Sequence, residues 1–182
     1  MNPAKFLQNC DRIITGKGFK RDISISLYEV HLESSGAPLT TTLTTNPGYA
    51  KSGTNVTILT WAANIVVEGG LQIQLPEDYD ESNDHLILKI KAKSAGATNV
   101  PSIDAKVYHQ GATTTDLNPT KSAALSATLA WKEIDLSGHS FQGGDVIQIA
   151  LFPDAHATDA VEVWAIKLQI KSDLVYFTES NR

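Results

Sequence analysis

One stretch of sequence decides the fold: His85-Leu86-Ile87-Leu88-Lys89-Ile90-Lys91-Ala92-Lys93. After a short apolar patch, apolar residues alternate with lysines at every second position. This period of two is typical of a β-strand that buries one face, because successive side chains of a strand point to opposite sides of the sheet. We therefore expect Leu86, Leu88, Ile90 and Ala92 to lie in a core, with the lysines in solvent.

Four further runs alternate in the same way, at residues 23–31, 103–109, 128–136 and 161–170. Shorter strand-like runs lie at 56–61, 65–67, 71–75 and 146–152, and glycine-containing turns are predicted at 68–70 and 143–145. No interval between these runs is long and helix-periodic enough for a parallel crossover. The sequence therefore predicts an all-β fold of roughly nine or ten strands, an antiparallel β-sandwich of the jelly-roll type.

For the run at residues 161–170, the sequence leaves open which of the later residues point toward the core. Val161, Val163 and Ala165 are expected to point toward the core. The next inward residue is then Leu168 or Ile170, depending on whether a β-bulge shifts the alternation by one position.

The chain divides into an arm and one domain. Its 182 residues are enough for a single domain with its own core. Residues 1–22 mix proline, glycine and basic residues and predict an extended N-terminal arm, and residues 23–182 form the sandwich domain. Within the domain, residues 33–55 are rich in Thr, Ser, Gly and Pro and predict a strap. Such a strap could cross a neighbouring subunit or fold onto the edge strand of its own domain.

Charge and cysteine content exclude several classes of protein. The net charge is -5 and no basic block is present, which argues against nucleic acid as a partner. Cys10 is the one cysteine, so no intrachain disulfide can form. No run approaches the roughly 20 apolar residues that span a bilayer, and the start lacks a secretory pattern. We expect a chain made in the cytoplasm that has no membrane partner.

An acidic loop at residues 76–85 provides a candidate metal site. Asp78, Asp80 and Asp84, with Ser82 between them, place oxygen atoms at alternate positions, and calcium binds oxygen ligands. The spacing departs from a calcium-binding helix-loop-helix motif, because the turn glycine is replaced by Asn83 and the final glutamate by Lys89. The alternative is a solvated turn.

No motif for catalysis is found. The five histidines are isolated from one another, the GxSxG nucleophile motif is missing, and the glycine pairs lack the lysine of a phosphate-binding loop. The sequence predicts that the chain is not an enzyme and that it binds no cofactor.

Three tryptophans, Trp61, Trp131 and Trp164, each lie within a strand-like run. Exposed on one face, they would form a stacking platform for sugars. Turned inward, they would pack the core or a sheet face, as aromatic residues in β-proteins commonly do. A carbohydrate- or receptor-binding β-sandwich, as in a phage fibre or spike, is therefore one of the functions that the sequence supports.

The chain also resembles a protein family, over residues 39–177. The resemblance lies in strand-and-turn phrases at residues 75–80, 84–88, 94–98, 143–147 and 170–176. They are similar to those of capsid decoration (cement) and head-associated β-sandwich proteins of tailed bacteriophages from aquatic and cyanobacterial hosts.

This resemblance implies a viral structural protein that stabilises a capsid shell through non-covalent contacts. It implies location in the virion, assembly into a homo-oligomer that is expected to be a trimer, and the major capsid protein as a partner. The arm would bind an acidic capsid surface and become ordered on docking. Its candidate contact residues are Lys5, Phe6, Arg12, Lys17 and Lys20.

Overall fold

A computed structural model of the chain describes residues 10–15, 19–53, 55–82, 84–109, 121–172 and 175–179, with backbone alone for 10–15 and 175–179. Thirteen strands run through these residues. They are β1 (Cys10–Thr15), β2 (Phe19–Ile25), β3 (His31–Leu32), β4 (Gly48–Ser52), β5 (Val56–Trp61), β6 (Gly69–Gln74), β7 (Leu86–Ser94), β8 (Ser102–His109), β9 (Lys121–Ala124), β10 (Ala130–Asp135), β11 (Val146–Pro153), β12 (Val161–Ser172) and β13 (Val175–Glu179).

The strands form two antiparallel sheets and a ribbon. One sheet has the order β10-β7-β12-β5-β4, and β2 pairs with β12 beside β5. The second sheet has the order β3-β6-β11-β8-β9, while β1 and β13 pair with each other. A 3-10 turn at Leu27–Glu29 is the helical element of the described residues, and no helix among them is long and apolar enough to cross a membrane. The predicted all-β antiparallel sandwich is confirmed.

The core lies between the two sheets and is built from the alternating residues. Leu86, Leu88, Ile90 and Ala92 are fully buried, as the decisive stretch predicted. They face buried residues of the second sheet, including Ile103, Ala105, Val107, Ile147 and Ile149. Full burial of a leucine or isoleucine side chain contributes about 1.5–3 kcal/mol, so this alternation stabilises the sandwich.

A β-bulge in β12 determines which of its side chains point toward the core. The pairing with β7 shifts between Val163 and Ala165, so that Ala165 lies opposite Lys91 on the outer side. The prediction that Ala165 points to the core is therefore wrong. Beyond the bulge, Leu168 and Ile170 both point inward and are fully buried.

Two predicted strands are shorter or absent. The run at residues 23–31 leaves the sheet after Ile25, because the Ser26 hydroxyl accepts a hydrogen bond from the Tyr28 amide and caps the 3-10 turn. Residues 65–67 form no strand. The indole of Trp61 donates to the Val67 carbonyl at 2.8 Å and fixes this segment as a loop.

Gly69 and Gly70, predicted as a turn, lie inside strand β6. They pair with β11 on one side and β3 on the other. A Cβ at Gly69 would lie 3.0 Å from a methyl of Val30 and 3.4 Å from the Trp61 ring. Glycine is required here for close packing rather than for a turn.

The strap folds onto its own domain. Its last part is β4, which pairs with β5 along its whole length at the sheet edge. The Tyr49 amide donates to the Thr40 carbonyl at 2.8 Å, which fastens the preceding loop. Of the two predicted arrangements, the strap adopts the one in which it folds onto its own domain rather than across a neighbouring subunit.

The N-terminal boundary also differs from the prediction. Strand β2 begins at Phe19, so residues 19–22 of the predicted arm belong to the sheet and pair with residues 169–172 of β12. Residues 10–15 form β1, which pairs with β13. Residues 1–9 and 16–18 lie outside the described part of the chain.

Candidate functional site

Trp131 lies on the outer face of the six-stranded sheet. Its neighbours in β10 alternate as expected: Ile134 is buried, whereas Trp131 has 44% of its surface exposed. Lys91 of β7 lies directly across from it. The ammonium of Lys167, on β12, lies 5.2 Å from the centre of the indole ring, within the range of a cation–π contact. An exposed aromatic ring is therefore held among polar groups on a pleated surface.

The other two tryptophans have different environments. Trp61 is fully buried in the core. Trp164 is half-buried, and its indole nitrogen donates to Glu162 at 3.3 Å. The prediction of core or sheet-face packing thus describes Trp61 and Trp164, whereas the stacking role remains open to Trp131.

Ion pairs hold the outer face around this ring. The Asp22 carboxylate lies 3.8 Å from the Lys89 ammonium and 3.6 Å from that of Lys167, and it accepts a hydrogen bond from Gln169 at 2.9 Å. The hydrogen bond from Gln169 and the two lysine charges keep the pKa of Asp22 below its usual value. These contacts fix Lys167 beside Trp131.

Nearby pairs fix the flanking lysines. Lys89 also lies 3.4 Å from Glu133, and Lys93 lies 3.3 Å from Glu162. Most charged side chains of this face are therefore already positioned before any ligand binds.

The outer face of the five-stranded sheet offers a weaker aromatic site. Phe152 is half-buried, and the ammonium of Lys106 lies 4.8 Å from its ring centre. Lys106 in turn forms an ion pair with Glu68 at 2.7 Å. The phenyl ring is thus partly covered by a side chain that is itself anchored.

The acidic loop is used for structure. Asp78 forms an ion pair with Arg21 at 2.9 Å and accepts a hydrogen bond from the Ser172 hydroxyl. Burial alone would raise the pKa of Asp78, but the hydrogen bond from Ser172 and the charge of Arg21 outweigh it and lower that pKa. Asp80 is fully buried and accepts hydrogen bonds from the amide and the hydroxyl of Ser82, at 3.1 and 2.6 Å.

Asp84 ties the acidic loop to the segment after β10. One of its oxygens accepts the amide hydrogens of Gly138, His139 and Ser140, at 2.7, 2.7 and 3.2 Å. The other accepts the Tyr79 hydroxyl at 3.0 Å, and burial together with this carboxylate raises the pKa of Tyr79. Within the described ranges no three His, Cys, Asp or Glu side chains are grouped to hold a metal. The three candidate calcium ligands are therefore engaged in separate hydrogen-bond networks.

A cleft of about 460 Å³ lies between the loops at residues 62–68, 95–101 and 154–160. It is lined by Asn64, Val66, Asn99 and residues 155–157. The buried His156 joins two of these loops, because its ring nitrogens lie 2.8 Å from the Asp154 carbonyl and 3.0 Å from the Ala62 carbonyl. A neutral imidazole has a single N–H and can donate to one of them at a time, whereas the protonated ring donates to both.

Most of the candidate capsid contacts lie outside the described residues. Lys5, Phe6 and Lys17 lie outside the described residues, and Arg12 lies in β1, where the backbone alone is described. Lys20 lies in β2 opposite Lys171 of β12.

Sequence reasoning did not single out the surroundings of Trp131. The sequence does contain one indication. Trp131, Glu133 and Asp135 occupy alternate positions and therefore lie on the same face of the strand. Because the charged residues are expected to face solvent, this spacing predicts that the indole also points outward. The cross-strand neighbours Lys91 and Lys167 could not be assigned, because strand order is not encoded in alternation.

No protein family model and no curated protein matches this chain. It is similar to the carbohydrate-binding module TmCBM61, solved in complex with β-1,4-galactotriose, with 11% identity and a TM-score of 0.45 over 82% of this chain and 86% of that one. The CBM22-1 xylan-binding domain of Paenibacillus barcinonensis Xyn10C has 10% identity and a TM-score of 0.47 over 87% and 98%. A family two carbohydrate esterase from Cellvibrio japonicus has 11% identity and a TM-score of 0.41 over 90% and 36%. At such identities the similarity concerns the β-sandwich fold alone.

Proposed function

We propose that this chain is a carbohydrate-binding β-sandwich module and that a sugar ring stacks on Trp131. The observation that supports the proposal is the exposed indole on the outer face of the six-stranded sheet. An indole with nearly half its surface in water gains free energy when another apolar surface covers it, at about 25 cal/mol per Å². The apolar face of a pyranose ring matches that surface.

Polar groups around the ring complement this stacking. Glu133 follows two residues later on the same face of β10, Lys91 lies across from the ring on β7, and the ammonium of Lys167 lies over the ring from β12. The Glu133 carboxylate can accept hydrogen bonds from sugar hydroxyls, and the two lysine ammonium groups can donate to them. Since ion pairs already position several of them, little side-chain entropy is lost on binding.

The test is binding to polysaccharides by affinity electrophoresis and calorimetry. One of the similar structures is a complex with β-1,4-galactotriose and another is a xylan-binding domain, so galactan and xylan are the first ligands to examine. We expect the purified chain to bind at least one polysaccharide and Trp131→Ala to weaken that binding about tenfold or more.

Tyr28→Ala is the matched control. Tyr28 is 66% exposed and lies on the 3-10 turn, away from Trp131, so its loss should leave binding unchanged. If no polysaccharide in a broad panel binds, or if Trp131→Ala binds like the original chain, the proposal is wrong.

Capsid decoration is the second candidate function. The observation that favours it is the ribbon of β1 and β13, which pairs with neither sheet within the described residues. The outer edges of such a ribbon can accept strands of a partner, here the major capsid protein or a further copy in a homotrimer. Incubation with capsid shells that lack this protein should then lead to co-sedimentation, and its absence would overturn this candidate.

A further inference from the structure

We infer that the ligand at Trp131 is an anionic glycan, whose carboxylate or sulfate group pairs with the ammonium of Lys91. This inference rests on the proposed function and specifies its ligand class. It is drawn from the distribution of charge on the outer face and from the position of one lysine within it.

The outer face of the six-stranded sheet is basic, although the chain as a whole carries a net charge of -5. The strand registers place on this face more lysines than carboxylates. The lysines are Lys20, Lys89, Lys91, Lys93, Lys167 and Lys171, and the carboxylates are those of Asp22, Glu133, Asp135 and Glu162. A basic face on an acidic protein attracts anions to that face selectively.

Lys91 differs from the lysines around it. Lys89, Lys93 and Lys167 each lie within 4.0 Å of a carboxylate, whereas no carboxylate of the described residues lies within that distance of Lys91. Its cross-strand neighbours on this face are Trp131 on one side and Ala165 on the other. The ammonium of Lys91 is thus available to an external anion.

The bulge in β12 contributes to this position. It places Ala165, with its short side chain, opposite Lys91, and the next outward residue of β12 is Lys167. The indole of Trp131 and the two lysines therefore lie together. A sugar stacked on the indole would present its ring substituents to the ammonium groups of Lys91 and Lys167. The neighbouring carboxylate on β10, that of Glu133, already forms an ion pair with Lys89, so the arrangement favours an acidic sugar over a neutral one.

The experiment compares polymers that share a backbone and differ in whether it carries anionic groups. Polygalacturonate is matched with its fully methyl-esterified form, and dextran sulfate is matched with dextran. We expect the chain to bind at least one anionic polymer more tightly than its uncharged counterpart. The pair that shows the difference identifies the anionic group as carboxylate or sulfate.

Variants then locate the anion. Lys91→Gln keeps most of the side chain and removes its charge, so it should weaken binding of the anionic polymer about tenfold without changing that of the neutral one. Lys51→Gln is the matched control, because Lys51 is exposed on β4 at the edge of the same sheet. Unchanged melting temperatures would show that both variants fold.

Two results would overturn the inference. One is equal affinity for the charged and uncharged polymers, and the other is equal loss in Lys91→Gln and Lys51→Gln. If charged and neutral polymers bind equally well and Trp131→Ala abolishes the binding of both, the proposed function stands while the anionic preference fails. If no polymer of either kind binds, the proposed function itself is wrong.

Discussion

At the scale of single residues, His156 is the buried polar group with the clearest structural role. Replacing it by alanine would remove the ring contacts with the carbonyls of Asp154 and Ala62 and create a cavity between two loops. We expect His156→Ala to reduce the free energy of unfolding by about 2–3 kcal/mol in urea titrations.

His31→Ala is the control for this change. His31 is only partly buried, and one ring nitrogen makes a longer contact of 3.3 Å with the Glu29 carbonyl. Its loss should cost less than about 0.5 kcal/mol. Equal losses in the two variants would show that His156 does not link the loops energetically.

Asp84 is the second residue with a predicted effect. Because its carboxylate accepts three backbone amides and the Tyr79 hydroxyl, Asp84→Ala should destabilise the fold by about 2 kcal/mol. Glu81→Ala, which removes a single 3.3 Å contact to Gly143, should cost less than about 0.5 kcal/mol. Millimolar calcium or EDTA should leave the melting temperature of the original chain unchanged, and a large rise with calcium would instead support a metal site in the acidic loop.

At the scale of elements, the stability contributed by the pairing of β2 with β12 should depend on pH. The pKa of Asp22 is lowered in the folded state, so its stabilising contribution is present above its unfolded value and is lost as the pH falls through the folded value. We expect Asp22→Asn to melt at a lower temperature than the original chain at pH 7, with a difference that shrinks below about pH 4.

The matched variant is Glu29→Gln on the 3-10 turn. Glu29 is exposed and forms no ion pair within the described residues, so neutralising it should leave the melting curve unchanged at either pH. A melting difference for Asp22→Asn that stays constant with pH would contradict the role given to its charge.

Elements also show how far the sequence determines the fold. Alternation in β7 identified which residues are buried, because the period of two follows directly from strand geometry. The strand and turn predictions fail where a local contact overrides the alternation of apolar and polar residues. Ser26 ends a strand by capping a turn, Trp61 holds Val67 in a loop, and the packing of Val30 requires Gly69 within a strand.

The candidate site was less predictable than the fold. The outward face of Trp131 follows from parity along β10, but its neighbourhood depends on which strands lie beside β10. Lys91 and Lys167 come from strands that are distant in sequence, and their register is set by the core of both sheets. The acidic loop was recognised as a group, yet its carboxylates are used by Arg21, Ser172 and the residues after β10, which no spacing rule identifies.

At the scale of the whole molecule, the sandwich should fold without its terminal ribbon. Strands β1 and β13 pair with each other and with no other strand of the described residues. We expect a chain of residues 19–172 to keep its sheet content and to melt within about 4 °C of the full chain, as measured by circular dichroism. A truncated chain that is unfolded would show that the ribbon packs on the core.

The position of β12 in the sheet determines when the six-stranded sheet can form during synthesis. This strand lies between β7 on one side and both β5 and β2 on the other, so it joins three strands that come earlier in the chain. During synthesis those strands emerge first and must wait, with apolar faces and open edges, until residues 161–172 arrive. The six-stranded sheet therefore closes only after residues 161–172 have been translated, and ribosome stalling before β12 would produce an aggregation-prone fragment.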